Sequence, residues 1–415
     1  MREDTLFIFF RNVTIFFATL MLFKYYFFLL IAPFHQCKET LRKIRMHKRK
    51  ESGYSPLVSV IIPACNEEVG IVRTLKSVMQ NSYPHIEIIV INNGSTDRTH
   101  EVVTEHLKSL DQNHRIVYAN RDEKGKGTAL NHGISQASGE IIVTIDADSI
   151  LQKDAIEKLV SYFADNSVDA AVGQVRIARG RGVIGLLQQL EYIFGFYFKR
   201  AHSVLGAEYI FGGACSAFRK NKIFDKLGVF ETVTKTEDIE MSLRVRFHGL
   251  NSVYAEDVVC YTEGASTLTG LIDQRLRWKK GRFDTFIKYR SLFFSTDRRH
   301  NRFLSWMILP YALLSELQLL FEPVGVSLLV AYSVISGDFI SLAIGVLFIS
   351  IIYFVVALFN HEKPSPKLFF LFPLTWPLFY FLMWIEFIAL IHSLKILIKG
   401  EQVTWQIWDR KGVEL

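Results

Sequence analysis

A chain of 415 residues, half of them hydrophobic and 34 of them Phe, is too apolar for a purely soluble enzyme, yet 21% charge is too much for a protein buried wholly in a bilayer. The net charge of +7 is no nucleic-acid footprint, because its clearest basic cluster directly follows an apolar segment. Cys37, Cys65, Cys215 and Cys260 show no paired spacing, which argues against a disulfide framework or a zinc site and for reduced thiols in a cytosol-facing domain.

The apolar excess lies at the two ends. Leu6 to about Ala32 is almost continuously apolar, broken by Arg11 and Lys24. It is long enough to cross a bilayer with tilt, too long for a signal-peptide core, and without a small-residue cleavage site. Lys38, Arg42, Lys43, Arg45, Lys48, Arg49 and Lys50 follow. Basic residues beside a membrane helix stay in the cytoplasm, so the N-terminus is expected outside and the central domain inside. A basic linker bound to anionic lipid gives the same orientation.

From Leu57 strand and helix patterns alternate. Leu57–Ile62 reads as a strand, Pro63-Ala64-Cys65-Asn66-Glu67-Glu68 as a loop, and Ile71, Val72, Leu75, Val78 and Met79 as a helical stripe. Ile86–Ile91 is a second strand, and Asn92-Asn93-Gly94-Ser95-Thr96-Asp97 a turn into a helix near Thr99–Leu110. Ile116–Ala119 is a third strand, and Gly125-Lys126-Gly127 precedes another helix. The apolar run Ile141–Ile145 then ends in Asp146-Ala147-Asp148-Ser149. This alternation predicts a doubly wound, mostly parallel α/β sheet whose polar loops converge on one edge, where a nucleotide lies in such folds. Two acids one residue apart repel unless a cation sits between them. A hard divalent ion, Mg²⁺ or Mn²⁺, is the natural occupant, and it usually also holds a diphosphate. Alone, the same four residues would read as a solvated turn.

Downstream, Val183–Leu205 is an aromatic-rich helix that suits either a membrane interface or a plain core. Gly212-Gly213-Ala214-Cys215-Ser216 is a Gly-rich turn entering a strand. Thr236-Glu237-Asp238 opens a helix that runs through His248, with acids in its first turn as the helix dipole favours. Gln274-Arg275-Leu276-Arg277-Trp278 follows; by itself it reads as an interfacial Trp with basic neighbours. Phe303–Ile335, Phe339–Phe359 and Leu368–Ile398 are apolar runs. The basic loop Thr296–Arg302 and the basic tail both prefer the cytoplasm, which requires an even number of crossings. One of the three runs is therefore expected to be re-entrant, interfacial or a hairpin. The expected divisions are 1–37 (membrane helix), 38–56 (basic linker), 57–295 (cytoplasmic domain with interfacial helices), 296–400 (membrane helices) and 401–415 (cytoplasmic tail).

Val58–Glu67, the Asn-Gly-Ser-Thr-Asp turn, Gly-Lys-Gly-Thr-Ala-Leu-Asn, Asp146-Ala147-Asp148, Thr236-Glu237-Asp238 and Gln274–Trp278, in that order, resemble glycosyltransferase family 2. The resemblance is to its processive branch of cellulose, chitin, hyaluronan and poly-N-acetylglucosamine synthases. It implies a GT-A nucleotide-sugar fold between N- and C-terminal transmembrane helices. It implies that Pro63, Ala64, Glu67, Asn93, Lys126, Asp146 and Arg277 bind a UDP-sugar, with Mg²⁺ or Mn²⁺ on Asp146 and Asp148. Asp238 is then the catalytic base, and Gly213, Cys215, Glu237, Gln274 and Trp278 line the acceptor. The chemistry is consistent: Arg277 offers a forked contact to a diphosphate and Trp278 an apolar face for a sugar ring.

The layout is most similar to the synthases of poly-β-1,6-N-acetylglucosamine in biofilm matrices. The implied activity is inverting, processive β-transfer from UDP-N-acetylglucosamine into an exopolysaccharide passed across a bacterial cell membrane. The implied partners are the donor, the growing polysaccharide, membrane lipid and a small accessory membrane subunit, with no nucleic acid. Three departures stand out: Asn93 where the family usually has Asp, Val172-Gly173-Gln174-Val175-Arg176 for a Thr-Gly-Asn-Pro-Arg type segment, and Lys279-Lys280-Gly281 where those synthases usually have Ala-Gln-Gly. Alternatives are a non-processive transferase acting on a lipid, a synthase of another polymer, a silent nucleotide-sugar sensor and a transporter without synthesis.

Overall fold

The β-branched runs pair into one eight-stranded sheet in the computed structural model, which describes residues 26–50, 53–110, 115–178, 182–358, 375–401 and 412–413 and isolated positions before 26. Helix α1 (Phe34–Lys50) comes first. Then β1 (Val58–Ala64), α2 (Ile71–Met79), β2 (Ile86–Asn93), α3 (Thr99–Lys108), β3 (Arg115–Arg121), α4 (Lys126–Gln136) and β4 (Ile141–Thr144) alternate as the sequence predicts. The second half adds β5 (Ser149–Leu151), α5 (Ala155–Phe163), β6 (Ala170–Ile177), α6 (Gly182–Val204), β7 (Ser216–Arg219), α7 (Lys220–Leu227), α8 (Glu237–Phe247), β8 (Ser252–Thr262) and α9 (Leu268–Lys288).

The strand order is β3-β2-β1-β4-β7-β6-β8-β5. From β3 to β4 every pairing is parallel, with β1 central between β2 and β4. Beyond β4 the expected parallel pattern gives way to a mixed one: β7 runs against both β4 and β6, and β5 runs against β8. The cause is α6. It leaves β6 at the sheet's carboxyl edge and the chain re-enters at that same edge, so β7 starts beside the end of β4, with Ser216 opposite Thr144. The Gly212–Ser216 turn is thereby delivered to the edge that carries Asp146.

Alternate residues of the parallel strands serve opposite layers, as the two-residue strand period requires. Val60, Ile62, Val90 and Val143 pack with Leu75, Val78, Leu159 and Phe163. Ile61, Ile89, Ile91 and Ile142 pack with Leu130, Ile134, Met241 and Val245. Contact is close enough that a Cβ on Gly133 of α4 would lie 2.4 Å from the Ile61 side chain.

The C-terminal part is helical: a π turn (Leu304–Ile308) leading into α10 (Leu309–Leu319), then α11 (Glu322–Ser336), α12 (Ile340–Leu358) and α13 (Thr375–Lys399). Among the described residues, α13 alone is long and apolar enough to cross a membrane. Leu304–Leu319 and Glu322–Ser336 pass that test only as a pair, bent by 48°. The over-long run Phe303–Ile335 is thus broken just before Pro323, which cannot continue the hydrogen-bond ladder behind it. Most of the expected N-terminal span, the start of the run at Leu368 and most of the tail lie outside the described residues.

The basic segment expected as a linker is helical as far as Lys50 and docked on the domain. Arg42 stacks 3.3 Å from the Tyr162 ring centre, and Lys43 pairs with Asp257 at 3.0 Å. The aromatic stripe of α6 is buried: Phe194, Tyr197 and Ala201 share a cluster with Phe28, Ala32, Ile352 and Val356. α6 therefore joins the sheet domain to the apolar helices on either side of it in sequence.

Candidate active site

The carboxyl edge of the sheet is built from short loops that hold one another. Pro63 and Ala64 close β1, and Asn66 turns the chain at φ 58°. Asn tolerates this left-handed conformation when its side chain is bound locally. Here the Asn66 amide oxygen accepts from the Thr96 N–H at 2.7 Å, and the Asn66 N–H donates to Ser95 Oγ at 2.9 Å. The Glu67 N–H donates to Thr99 Oγ1 at 2.8 Å, and the Glu67 side chain is buried. Asn93 donates from Nδ2 to the Gly125 carbonyl at 2.8 Å, while its buried Oδ1 has no hydrogen-bond partner. A buried acceptor without a donor is costly, so this atom is suited to an N–H of a bound base.

At the end of β4, Thr74 Oγ1 donates to the Ala147 carbonyl at 2.7 Å and the Ser149 N–H to the Asp146 carbonyl at 3.0 Å, which fixes the turn between the two acids. Asp148 Oδ1 accepts from Ser149 Oγ and from Thr262 Oγ1 of β8, each at 3.1 Å. Asp146 Oδ1 faces Lys126 Nζ at 2.5 Å. Lys126 opens α4 behind Gly125 (φ 122°), and its ammonium also lies 3.4 Å from Glu237 Oε1.

Glu237 and Asp238 form the first turn of α8. Asp238 accepts from the Gly213 N–H at 3.0 Å and from the Ile239 N–H at 2.8 Å. A Cβ on Gly213 would sit 2.6 Å from Lys126 Nζ, 3.4 Å from Asp238 Oδ2 and 3.7 Å from Asp146 Oδ1. A side chain at residue 213 would displace the Lys126 ammonium from its place beside Asp146. The acids on β4 and α8, far apart in sequence, therefore meet within well under a nanometre.

The electrostatics follow from this packing. Burial and the neighbouring Glu237 push the Asp238 carboxyl up to about 6, with Lys126 pulling the other way. Burial opposes the charge on Lys126, but Asp146, Glu237 and Asp238 together hold its ammonium firmly protonated.

α9 begins at Thr267, whose Oγ1 accepts from the Gly270 N–H at 3.1 Å, and carries Gln274, Arg277 and Trp278, all half-buried. Gln274 Oε1 is buried without a partner, and the Arg275 guanidinium stacks 4.4 Å from the Trp278 ring centre. One contact ties this helix to the segment that carries the acids. A Cβ on Gly281 would lie 1.9 Å from Thr236 Oγ1, next to Glu237. Burial holds the hydroxyl of Tyr192 of α6 well above its ordinary range, with the acid charges of Glu191, Asp148 and Asp146 adding to the effect.

One expected residue is corrected. Cys215 does not line the acceptor side with its thiol: the side chain is fully buried, and its sulfur would lie 2.8 Å from a Cβ on Gly173. Cys215 is the last residue before β7, and strand alternation turns it into the sheet's core. Thr262, which holds Asp148, leaves no local pattern in the sequence, because a hydroxyl partner on a distant strand carries no motif.

The donor set fits a hard divalent cation. Asp146 already holds a cationic group, the Lys126 ammonium, and the acids at this edge offer hard carboxylate oxygens. Among the described residues no group of three or more His, Cys, Asp or Glu could hold a metal ion. The chain thus offers two carboxylates, the number with which Mg²⁺ commonly binds when substrate phosphates and water complete its shell.

Comparison with known proteins agrees with this geometry. Residues 59–227 match the family described as glycosyl transferase family 2. The poly-beta-1,6-N-acetyl-D-glucosamine synthase of Staphylococcus epidermidis is 32% identical over 267 residues, 64% of this chain and 62% of that one. The enzyme of the same name from Staphylococcus aureus strain COL is 32% identical over 262 residues, 61% of this chain and 62% of that one. The chain therefore matches just under two thirds of the length of these curated relatives. A mannosyltransferase from Pyrobaculum calidifontis, solved with GDP-Man and Mn²⁺, shares the fold with a TM-score of 0.60 at 22% identity, covering 90% of this chain and all of that one. The sheet domain is thus GT-A-like.

Proposed function

We propose that this chain, whose residues 59–227 form a glycosyl transferase family 2 domain, is an inverting, processive β-glycosyltransferase that polymerises UDP-N-acetylglucosamine into an exopolysaccharide at the cytoplasmic face of a bacterial cell membrane. The observation that carries this reading is the convergence of Asp146, Lys126, Glu237 and Asp238 beside the Gly213 turn. Nucleotide-side and acceptor-side groups share one cleft. The names of the relatives support the choice of sugar and product.

In this mechanism the uracil N–H meets the orphaned Oδ1 of Asn93, and the Pro63–Glu67 loop supports the nucleoside. Asp146 and Asp148 would hold Mg²⁺ or Mn²⁺, which would neutralise charge on the departing diphosphate. Lys126 and Arg277 bind the diphosphate, the first as a point charge and the second as a fork. Asp238 takes the proton of the acceptor hydroxyl as that oxygen attacks the anomeric carbon from the face opposite the diphosphate. Its raised proton affinity suits a base that works near neutral pH. Glu237, Gln274, Trp278 and the Gly213 turn hold the end of the chain. The apolar helices α10 to α13 form the route by which a polar polymer, which cannot cross lipid unaided, leaves the cell. A small accessory membrane subunit and surrounding lipid complete the assembly.

The test is full-length protein in lipid nanodiscs with Mg²⁺ and labelled UDP-N-acetylglucosamine, UDP-glucose or UDP-galactose, followed by gel analysis and linkage determination. The reading expects a long polymer from the N-acetylglucosamine donor. A single addition to lipid, or polymer only from another donor, contradicts it.

A further inference from the structure

One stripe of α9 carries Arg275, Lys279 and Arg282, which the helical period brings to the same face. Three acids from three other helices meet it. Arg275 pairs with Glu191 of α6 and, at 3.0 Å, with Glu386 of α13. Arg282 pairs with Glu316 of α10 at 2.7 Å. Lys279 lies between them, with its ammonium 2.7 Å from Glu316 Oε2 and 2.8 Å from Glu386 Oε2. Lys279 is 5% exposed and Glu316 likewise 5%. A buried ammonium is expensive unless it is paired, and a pair of this kind is better at fixing geometry than at adding net stability.

The adjoining stripe of α9 faces a different neighbour. It holds Gln274, Trp278 and Gly281, and Gly281 backs directly onto Thr236, one residue before Glu237 and two before Asp238. α9 is therefore a strut. One stripe is pinned by ions to two helices of the apolar bundle, and the adjoining stripe abuts Thr236, two residues before Asp238. Position 279 is also where this chain departs from the Ala usual in the synthases it resembles.

We propose that Lys279 is a positioning residue: by bridging Glu316 and Glu386 it locks α10 and α13 to α9 and so sets the distance from Trp278 and Arg277 to Asp238. The proposal rests on the transferase reading above. Lys279 touches neither donor nor acceptor. Its loss lets α9 shift, and a misplacement of about 1 Å at reacting groups costs on the order of a hundredfold in rate. Most of the donor site comes from β1, β2, β4 and α4, which the bridge does not touch; α9 supplies Arg277 alone.

The experiment uses the full chain in nanodiscs and compares the wild type with Lys279→Met and Lys279→Arg. Lys279→Met leaves Arg275 and Arg282 facing three acids, so its folding is checked by thermal unfolding, and Lys279→Arg, which keeps the charge, separates loss of the bridge from loss of the fold. Transfer kinetics, UDP affinity by calorimetry and amide hydrogen exchange of residues 268–288 are measured. The expected result for Lys279→Met is a fall in kcat of about ten- to a hundredfold, with a much smaller loss of UDP affinity, since only Arg277 among the donor groups lies on α9, and faster exchange in 268–288. Lys279→Arg restores most of both. Wild-type kcat in Lys279→Met, or a loss of UDP affinity parallel to the loss of rate, overturns the proposal. If the wild type transfers no sugar, the transferase reading fails by itself. The exchange measurement then decides alone: faster exchange in Lys279→Met supports the strut, and unchanged exchange sinks it.

Discussion

At Asp238 opposing influences set the proton affinity, and their balance is testable. Burial and Glu237 raise the carboxyl to about 6 from 3.8, and Lys126 restrains the rise. A base works only when ionised, so transfer should climb as pH rises through about 6 and level off above it. Replacing Lys126 with Gln removes the restraint. The acid limb should then move to higher pH, and the donor KM should rise because a phosphate contact is lost. A pH–rate profile of both proteins checks this. The sign for stability is the reverse of that for activity. The folded state binds this proton more tightly than the unfolded state, so the penalty is absent below the unfolded value, grows as pH rises, and is complete above about 6. Asp238→Asn escapes that penalty. It should lose at least about a hundredfold in transfer while its thermal midpoint at neutral pH does not fall. Asp146, Asp148, Lys126 and Asp238 were legible as residues because each stands in a short motif with its own chemistry. Cys215 was misjudged because the motif gives proximity to the acceptor turn but not the strand parity that points the thiol inward.

Elements carry two further predictions. Gly281→Ala would ordinarily stabilise a helix by about 1 kcal/mol. Here the new Cβ would fall 1.9 Å from Thr236 Oγ1, so overpacking should reverse the sign, with a loss of about 1–3 kcal/mol and slower transfer. Thermal unfolding followed alongside activity distinguishes the two signs. Glu87 of β2 ties three segments together. Its carboxylate accepts from Ser59 Oγ at 2.5 Å, from the Ser138 N–H at 2.6 Å and from Ser138 Oγ at 2.7 Å. These bonds outweigh burial and hold its carboxyl below the usual range. That contribution is present above the unfolded carboxylate value and is lost as pH falls through the lower folded value. Glu87→Leu, which orphans these donors, should cost on the order of 3 kcal/mol and flatten the acid-side pH dependence of the melting temperature.

The strands β1, β2 and β4 could be read directly because β-branched runs ended at turn residues. β8 could not: Glu256-Asp257 interrupts it at a register shift opposite Gly173 and Gln174. α9 also escaped notice as a helix. Its apolar stripe is replaced by Arg275, Lys279 and Arg282, and their partners lie on other helices.

Across the whole molecule, the sheet's carboxyl edge, α9 and the apolar helices form one connected body. α6 packs its aromatic stripe against Phe28 and Ala32 on one side and Ile352 and Val356 on the other. Residues near the C-terminus return to the domain: the Val413 carbonyl accepts from Arg73 Nη1 at 2.7 Å, and the Gly412 N–H donates to Glu263 at 3.2 Å. This scale was the least legible in sequence. Hydropathy marks apolar runs but does not reveal that Phe303–Ile335 is bent, nor that Glu316 and Glu386 answer cations on α9. An acid inside an apolar run was the available clue, since such a residue is expensive without a partner.

The central claim is that donor and acceptor groups from distant parts of the chain serve one reaction centre. The most direct measurement pairs labelled UDP-N-acetylglucosamine incorporation with UDP binding in the wild type, Asp146→Ala and Asp238→Asn, each in nanodiscs with and without Mg²⁺. The account predicts polymer from the wild type only, metal-dependent UDP binding retained in Asp238→Asn, and that binding lost in Asp146→Ala. Polymer formed by Asp238→Asn at the wild-type rate, or unchanged metal-dependent binding in Asp146→Ala, would contradict it.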